Sequence, residues 1–200
     1  MILGITGGVG SGKSTVLSYL SQKYDAKIIE ADYVAKCIMN PGYDAYDKII
    51  DAFPNIVLDG EGHIDRASLA SIVFTDKNRL ETLNSIVHPE VKKEIKSIIY
   101  NTLQETPNRL IVIEAALLIE DGYKEICDQI WYVYCELETR IQRLMDSRGY
   151  SRYKSISIIN NQMSDEEYEK YTDAKIDNSN TAEECNMQID KLLNIDNMCN

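Results

Sequence analysis

The chain alternates short, wholly apolar runs with longer amphipathic stretches. Met1–Ile5 is apolar and runs straight into glycines, the pattern of a strand buried on both faces of a parallel sheet. Lys27–Glu30, Arg109–Ala115 and Gln129–Cys135 read as further buried strands, and Lys175–Asp177 as a shorter fifth. Helical patterns fill the intervals. Ser14–Tyr24 places Val16, Leu17 and Leu20 on one inner face. Tyr33–Met39, Asp44–Phe53 and Arg66–Phe74 follow, the last capped by Asp65. Arg79–Val87 and Glu90–Leu103 are predicted as two helices separated by His88-Pro89. Leu137–Ser147, Arg152–Met163 and Thr181–Leu193 complete the set. Alternating strands and helices predict the α/β class: a five-stranded parallel sheet flanked by helices.

Two stretches break this rhythm. Residues 33–107 hold several helices between the second and third strands, and residues 145–172 hold polar helices before the last strand. Both read as insertions on a single domain. Its core covers about 1–32, 108–144 and 173–200, with a substrate-binding insertion at about 33–107 and a lid at about 145–172. Binding parts and lids are commonly carried on such insertions.

Composition narrows the setting. The 200 residues carry a formal net charge of −11, with 44% apolar and 26% charged residues. A chain this acidic repels polyanions as a whole, so nucleic acid is an unsuitable partner. A small anion remains possible where local cations and backbone N–H groups outweigh the mean field. Cys37, Cys127, Cys135, Cys185 and Cys199 are odd in number and form no C-x-x-C pair. Neither a disulfide framework nor a zinc cluster is indicated, and reduced thiols point to the cytoplasm. No apolar run approaches the ~20 residues needed to span a bilayer, so no membrane is expected.

The sharpest signal is Gly7-Gly8-Val9-Gly10-Ser11-Gly12-Lys13-Ser14. It satisfies G-x-x-x-x-G-K-[ST] and sits between a predicted strand and a predicted helix, the setting of a P-loop. Glycines let the backbone turn and aim its N–H groups inward, and the helix N-terminus adds its positive dipole end. Gly8 to Thr15 are thus expected to cradle the phosphates of a nucleoside triphosphate. Lys13 is expected at the β/γ-phosphates and the Ser14 hydroxyl on Mg²⁺. A Rossmann reading fits less well, because Gly8-x-Gly10 lacks the third glycine at the required spacing. The Asn-Lys-x-Asp element of guanine-specific switches is absent, and Asp59-Gly60-Glu61-Gly62 follows no convincing strand, so it reads as a turn.

Asp32 ends the second strand on the sheet edge where ligands bind in parallel sheets. A carboxylate there can accept a hydroxyl proton during phosphoryl transfer, or it can N-cap a helix beginning at Tyr33. Position alone leaves both readings open.

Together these motifs resemble the dephospho-coenzyme A kinase family. The likeness runs from Gly4-Ile5-Thr6 through Ser14. It continues with Glu30-Ala31-Asp32-Tyr33-Val34-Ala35 and with Gly62-His63-Ile64-Asp65-Arg66-x-x-Leu69 leading to Val73-Phe74. Leu83-Asn84-x-Ile86-Val87-His88-Pro89 and Leu117-Leu118-Ile119-Glu120 follow. The last matches are Arg140-Ile141-Gln142-Arg143-Leu144-Met145, Gln162-Met163 and Ile176-Asp177-Asn178-Ser179. Each beyond the P-loop is weak alone, and their order and spacing are specific.

The resemblance implies a P-loop fold similar to nucleoside monophosphate kinases. It also implies transfer of the ATP γ-phosphate to the ribose 3′-hydroxyl of dephospho-coenzyme A, with Mg²⁺. Carried over, Asp32 looks like the general base, Lys13 the phosphate clamp and Arg143 a lid arginine on the transferring phosphate. An exposed arginine paired with Glu138 or Asp146 is the competing reading of Arg143. Arg140 and Arg148 fall in the same segment and are not separated from Arg143 as phosphate contacts. His88 is placed near the acceptor, or else it caps a helix begun by Pro89. Arg66 is either a substrate contact or part of a helix start with a structural ion pair. Asn178 is placed near adenine, or else it is a turn asparagine. Glu114 and Glu120 are candidate Mg²⁺ partners or solvent-facing acids.

The chain departs from the family pattern in places. Ala116 stands where the family has proline, and Ile119 where it has phenylalanine. Ser147, Arg148 and Gly149 replace an arginine followed by Asp-Gly, and Ile158 replaces an arginine four residues before Gln162. These changes bear on the lid and leave the P-loop and Asp32 untouched.

Overall fold

The computed structural model describes residues 1–198, with side chains described through residue 194. Cys199 lies outside the described residues.

The strands are β1 (Ile2–Thr6), β2 (Lys27–Glu30), β3 (Ile111–Glu114), β4 (Gln129–Tyr134) and β5 (Ala174–Asp177). They form one sheet in the order β2-β3-β1-β4-β5. β1 runs parallel to β3 and β4, and β4 parallel to β5. β1, at the centre, is buried on both sides, which explains its unbroken apolar run. Leu3, Ile5, Val112, Trp131, Val133 and Ile176 point to one face. That face is covered by α1 (Lys13–Tyr24) and α9 (Ala182–Met198). Val16 and Leu20 come from α1, and Cys185, Ile189 and Leu193 from α9.

Two compact units emerge. One contains residues 1–28 and the chain from residue 108 onward; the other contains residues 29–107. The second is helical, with α2 (Ala31–Ile38), α3 (Asp44–Ala52), α4 (Arg66–Val73) and α5 (Lys77–Glu105). Its core joins Ile49 and Phe53 to Ile64, Leu69 and Val73. The Asp59–Gly62 segment is a turn, as its residues suggest. Asp59 Oδ1 accepts the N–H groups of Glu61 and His63, closing a bridge between Leu58 and Ile64.

Three expectations need correction. The predicted break at His88-Pro89 is absent: α5 runs 29 residues with Pro89 inside it. A helix-interior proline costs about 3 kcal/mol. Here that is offset by packing on both sides, Leu80, Leu83, Ile86 and Val87 before it and Val91, Ile95 and Ile99 after it. The predicted Arg152–Met163 helix stops early. It is α7 (Arg152–Asn160), and α8 (Asp165–Tyr171) follows as a separate helix. The second start is set by a capping box in which Ser164 and Glu167 bond each other's backbone N–H. Finally, α2 begins at Ala31, not Tyr33. α6 (Leu137–Arg148) runs one residue beyond the predicted Ser147 and ends at a glycine, Gly149, in the left-handed region.

Candidate active site

The phosphate loop occupies Gly7–Gly12, between β1 and α1. Gly7, Gly10 and Gly12 have φ of 149°, 79° and 85°, and Gly12 is the left-handed N-cap of α1. Only glycine takes these angles without strain. Space demands it too. A Cβ on Gly7 would stand 2.5 Å from the Val133 carbonyl oxygen, and one on Gly12 2.2 Å from Asn178 Nδ2.

Alternate carbonyls of the loop are tied outward. Gly7 O accepts from Lys13 Nζ at 2.9 Å. Val9 O accepts from Arg140 Nε at 3.0 Å. Ser11 O accepts from Asn178 Nδ2 at 2.8 Å and Arg143 Nη1 at 3.3 Å. With its carbonyls held away, the loop leaves the N–H groups of Gly10, Gly12, Lys13 and Ser14 without a protein acceptor among the described residues. They stand at the N-terminus of α1, whose first turn carries no acidic side chain. Such a concavity favours an anion. Ser11 Oγ is the buried side-chain polar atom left unpaired among the described residues, and it lies in this loop. Lys13 Nζ also lies 3.6 Å from the carboxylate of Glu114, the last residue of β3.

The structure assigns the arginines different positions. Arg143 does not pair with Glu138 or Asp146, which bond Arg152 and Gln142 instead. It donates to Ser11 O and, at 2.9 Å, to Asn178 O. It also reaches the Cys135 thiol at 3.4 Å. Burial pushes that thiol's pKa up, against the pull of the Arg143 charge. Arg140 is 6% exposed, and besides Val9 O it bonds Gln162 Oε1 at 3.1 Å. Arg148 is the exposed last residue of α6. Asn178 is neither exposed nor a free turn residue: it is buried and braces the loop backbone. Gln162 carried no role in the sequence reading. Its place in a turn between helices leaves no periodic signal, yet its Oε1 accepts the Val9 N–H at 2.8 Å.

The helical unit holds Asp32, Arg66 and His88. Asp32 is the second residue of α2 and is exposed. The N-cap is Glu30, so Asp32 is not a cap. Arg66 is exposed and donates to the Lys36 carbonyl at 3.3 Å. Asp65 caps α4 by accepting the Ser68 N–H at 2.7 Å, and no Asp65–Arg66 ion pair occurs among the described residues. His88 is half-buried within α5, so it does not cap a helix. Glu120 is exposed.

No cluster of three or more His, Cys, Asp or Glu side chains that could hold a metal occurs among the described residues. No described helix is long and apolar enough to cross a membrane.

A parallel sheet with a glycine-rich loop leading into a helix at Lys13-Ser14 defines a P-loop kinase fold. Comparison with known proteins narrows the class. The family model for dephospho-CoA kinase matches residues 1–184, and the chain belongs to that family. It is 44% identical over 188 residues to a dephospho-CoA kinase of Carboxydothermus hydrogenoformans, covering 94% of this chain and 90% of that one. Among solved structures, the TT1252 protein of Thermus thermophilus superposes with a TM-score of 0.77 at 30% identity. The dephospho-CoA kinase of Campylobacter jejuni superposes at 0.71 and 26% identity. Each of these two covers 96% of both chains.

Proposed function

We propose that this chain transfers the γ-phosphoryl group of ATP to the ribose 3′-hydroxyl of dephospho-coenzyme A, giving coenzyme A and ADP. Family membership across residues 1–184 carries the choice of acceptor. The phosphate loop, with Lys13 beside it, supports the donor half.

Phosphoryl transfer is largely a matter of positioning and charge neutralisation. The inward N–H groups of the loop and the α1 dipole hold the donor's phosphates. Lys13 exchanges the Gly7 carbonyl and the Glu114 carboxylate for phosphate oxygens. Asp32 accepts the proton of the attacking hydroxyl; it is exposed and lies two residues beyond the end of β2, with no cap duty to occupy its carboxylate. Arg143 contributes positive charge near Ser11, offsetting part of the chain's net −11. Asn178 acts by shaping the loop. His88 and Arg66 serve the acceptor from the helical unit, and residues 145–172 act as a lid that excludes water.

The donor set suits Mg²⁺. Hard oxygen ligands are available in the Ser14 hydroxyl and the Glu114 carboxylate, and Mg²⁺ typically takes one or two such groups plus substrate phosphates. When bound, the ion would neutralise charge developing on the phosphates.

A coupled assay of ADP release with a panel of acceptors tests this reading. Dephospho-coenzyme A should far exceed AMP, UMP, CMP and shikimate. Preference for AMP would point to a nucleotide kinase, and acceptor-independent slow hydrolysis to a nucleotide-dependent switch; either result would overturn the proposal.

A further inference from the structure

We infer that Gln162 is a positioning residue for the phosphate loop, acting on ATP through Val9. Two hydrogen bonds converge on this one loop residue, and a third joins its two partners. Gln162 Oε1 accepts the Val9 N–H at 2.8 Å. Arg140 Nε donates to the Val9 carbonyl at 3.0 Å. Arg140 Nη2 in turn donates to the same Gln162 oxygen at 3.1 Å. The three groups form a closed hydrogen-bonded ring on the two polar atoms of one residue's backbone. The Val9 side chain meanwhile packs against Ile141, Leu144 and Ile159, which belong to α6 and α7. The tip of the loop is therefore held by backbone and side chain alike.

The ring dictates local sequence. A Cβ on Gly8 would stand 2.1 Å from Arg140 Nη2 and 3.0 Å from Gln162 Oε1, so the guanidinium fills the space a side chain would need. Gln162 itself lies in the α7–α8 turn and is exposed, so it contributes little to any core. It is nonetheless firmly placed. Two residues on, Ser164 opens α8 with its capping box. α8 is anchored on β4 by Tyr168 stacked on Tyr132 at 4.6 Å and by the Tyr132 hydroxyl donating to Asp165.

A glutamine suits the task. Its carbonyl oxygen can accept two donors at once, and a neutral amide adds no negative charge beside a phosphate site. With Val9 N–H and C=O both fixed, the following amides of Gly10, Gly12 and Lys13 keep the orientation that receives phosphate. Preorganisation of this kind shows as affinity, because a loop already ordered loses less entropy on binding. The inference rests on the proposed use of ATP as donor.

The test compares Gln162→Met, which keeps length but removes the acceptor, with Gln162→Glu, which keeps it. Steady-state constants for both substrates, direct ATP titration, amide exchange at Val9 and thermal melting are measured together. Gln162→Met should raise KM and Kd for ATP roughly tenfold. The KM for dephospho-coenzyme A, kcat and the melting temperature should change little, and Val9 amide exchange should accelerate. Gln162→Glu should restore slow Val9 exchange but only part of the ATP affinity, because its carboxylate keeps the acceptor while adding negative charge beside the phosphate site. The inference is overturned if Gln162→Met leaves ATP affinity and Val9 exchange unchanged, if it lowers only the melting temperature, or if the acceptor KM alone rises. Wild-type enzyme inactive on dephospho-coenzyme A would sink the kinase assignment instead, while ATP titration and Val9 exchange would still decide the role of Gln162.

Discussion

Lys13 and Glu114 form an ion pair, Nζ to Oε1 3.6 Å, with both side chains more than four-fifths buried. The pair joins the helix end of the phosphate loop to the end of the neighbouring strand. It parks the lysine beside the site where phosphate is expected and places a carboxylate within its reach. Glu114→Gln keeps shape and removes charge. It should raise the Mg²⁺ concentration needed for half-maximal rate by about tenfold. ATP binding measured without Mg²⁺ should be weakened far less. An unchanged Mg²⁺ dependence would remove Glu114 from the metal's surroundings.

Asp32 stands inside the first turn of α2 with no capping bond of its own. Asp32→Asn should therefore leave the helix intact. It should lower kcat by roughly 10²-fold or more with ATP affinity nearly unaltered, the signature of a lost general base. Rapid-quench or steady-state assays read this directly; wild-type turnover would take Asp32 out of the mechanism.

Gly7 is limited twice over, by a φ of 149° and by the Val133 carbonyl 2.5 Å from where a Cβ would be. The obstacle is backbone and cannot swing aside. Gly7→Ala should cost ~2–4 kcal/mol of stability in urea denaturation, the combined scale of strained backbone and overpacking. ATP affinity should fall with it.

Asp190 accepts from Tyr19 and Tyr24 hydroxyls at 2.8 and 2.7 Å and from Lys23 at 2.7 Å, tying α9 to α1. The Lys23 contact, followed by the two hydroxyls, holds its carboxyl below the usual range, and burial first, then Asp190, pushes Tyr24 up to about 12. A lowered acid stabilises above its ordinary value of 3.8 and loses that contribution as pH falls. A raised tyrosine stabilises below 10.0 and loses it as pH climbs toward about 12. Between these limits the contribution is flat. Asp190→Asn should lower Tm by about 2–4 °C at pH 7. That difference should shrink as pH falls through about 4, and catalysis should be unaffected. A constant difference down to pH 3 would contradict the charge-based account.

Much of this was legible in the chain because it is local. Buried strands declare themselves as apolar runs, and the turn at Asp59–Gly62 is written in one aspartate and two glycines. The capping box Ser164-x-x-Glu167 was equally local, and reading it would have divided α7 from α8 correctly. The Pro89 break failed for the opposite reason. A proline's local cost is visible in sequence, whereas the packing along α5 that outweighs it comes from residues far away in the chain.

The same division runs through the phosphate loop. Sequence by itself determined that Gly7 to Ser14 turn between a strand and a helix, since glycine spacing and the Lys-Ser pair are enough to specify that geometry. Tertiary structure decided how the loop is held open. Its carbonyls are tied by Arg140, Arg143 and Asn178, and Gln162 holds the Val9 N–H. The contacts with Val9 and Ser11 span 131 to 167 residues of chain. Backbone torsions follow from neighbours a few residues away. The orientation of a peptide group toward a distant guanidinium exists only once the sheet has brought both ends of the chain together.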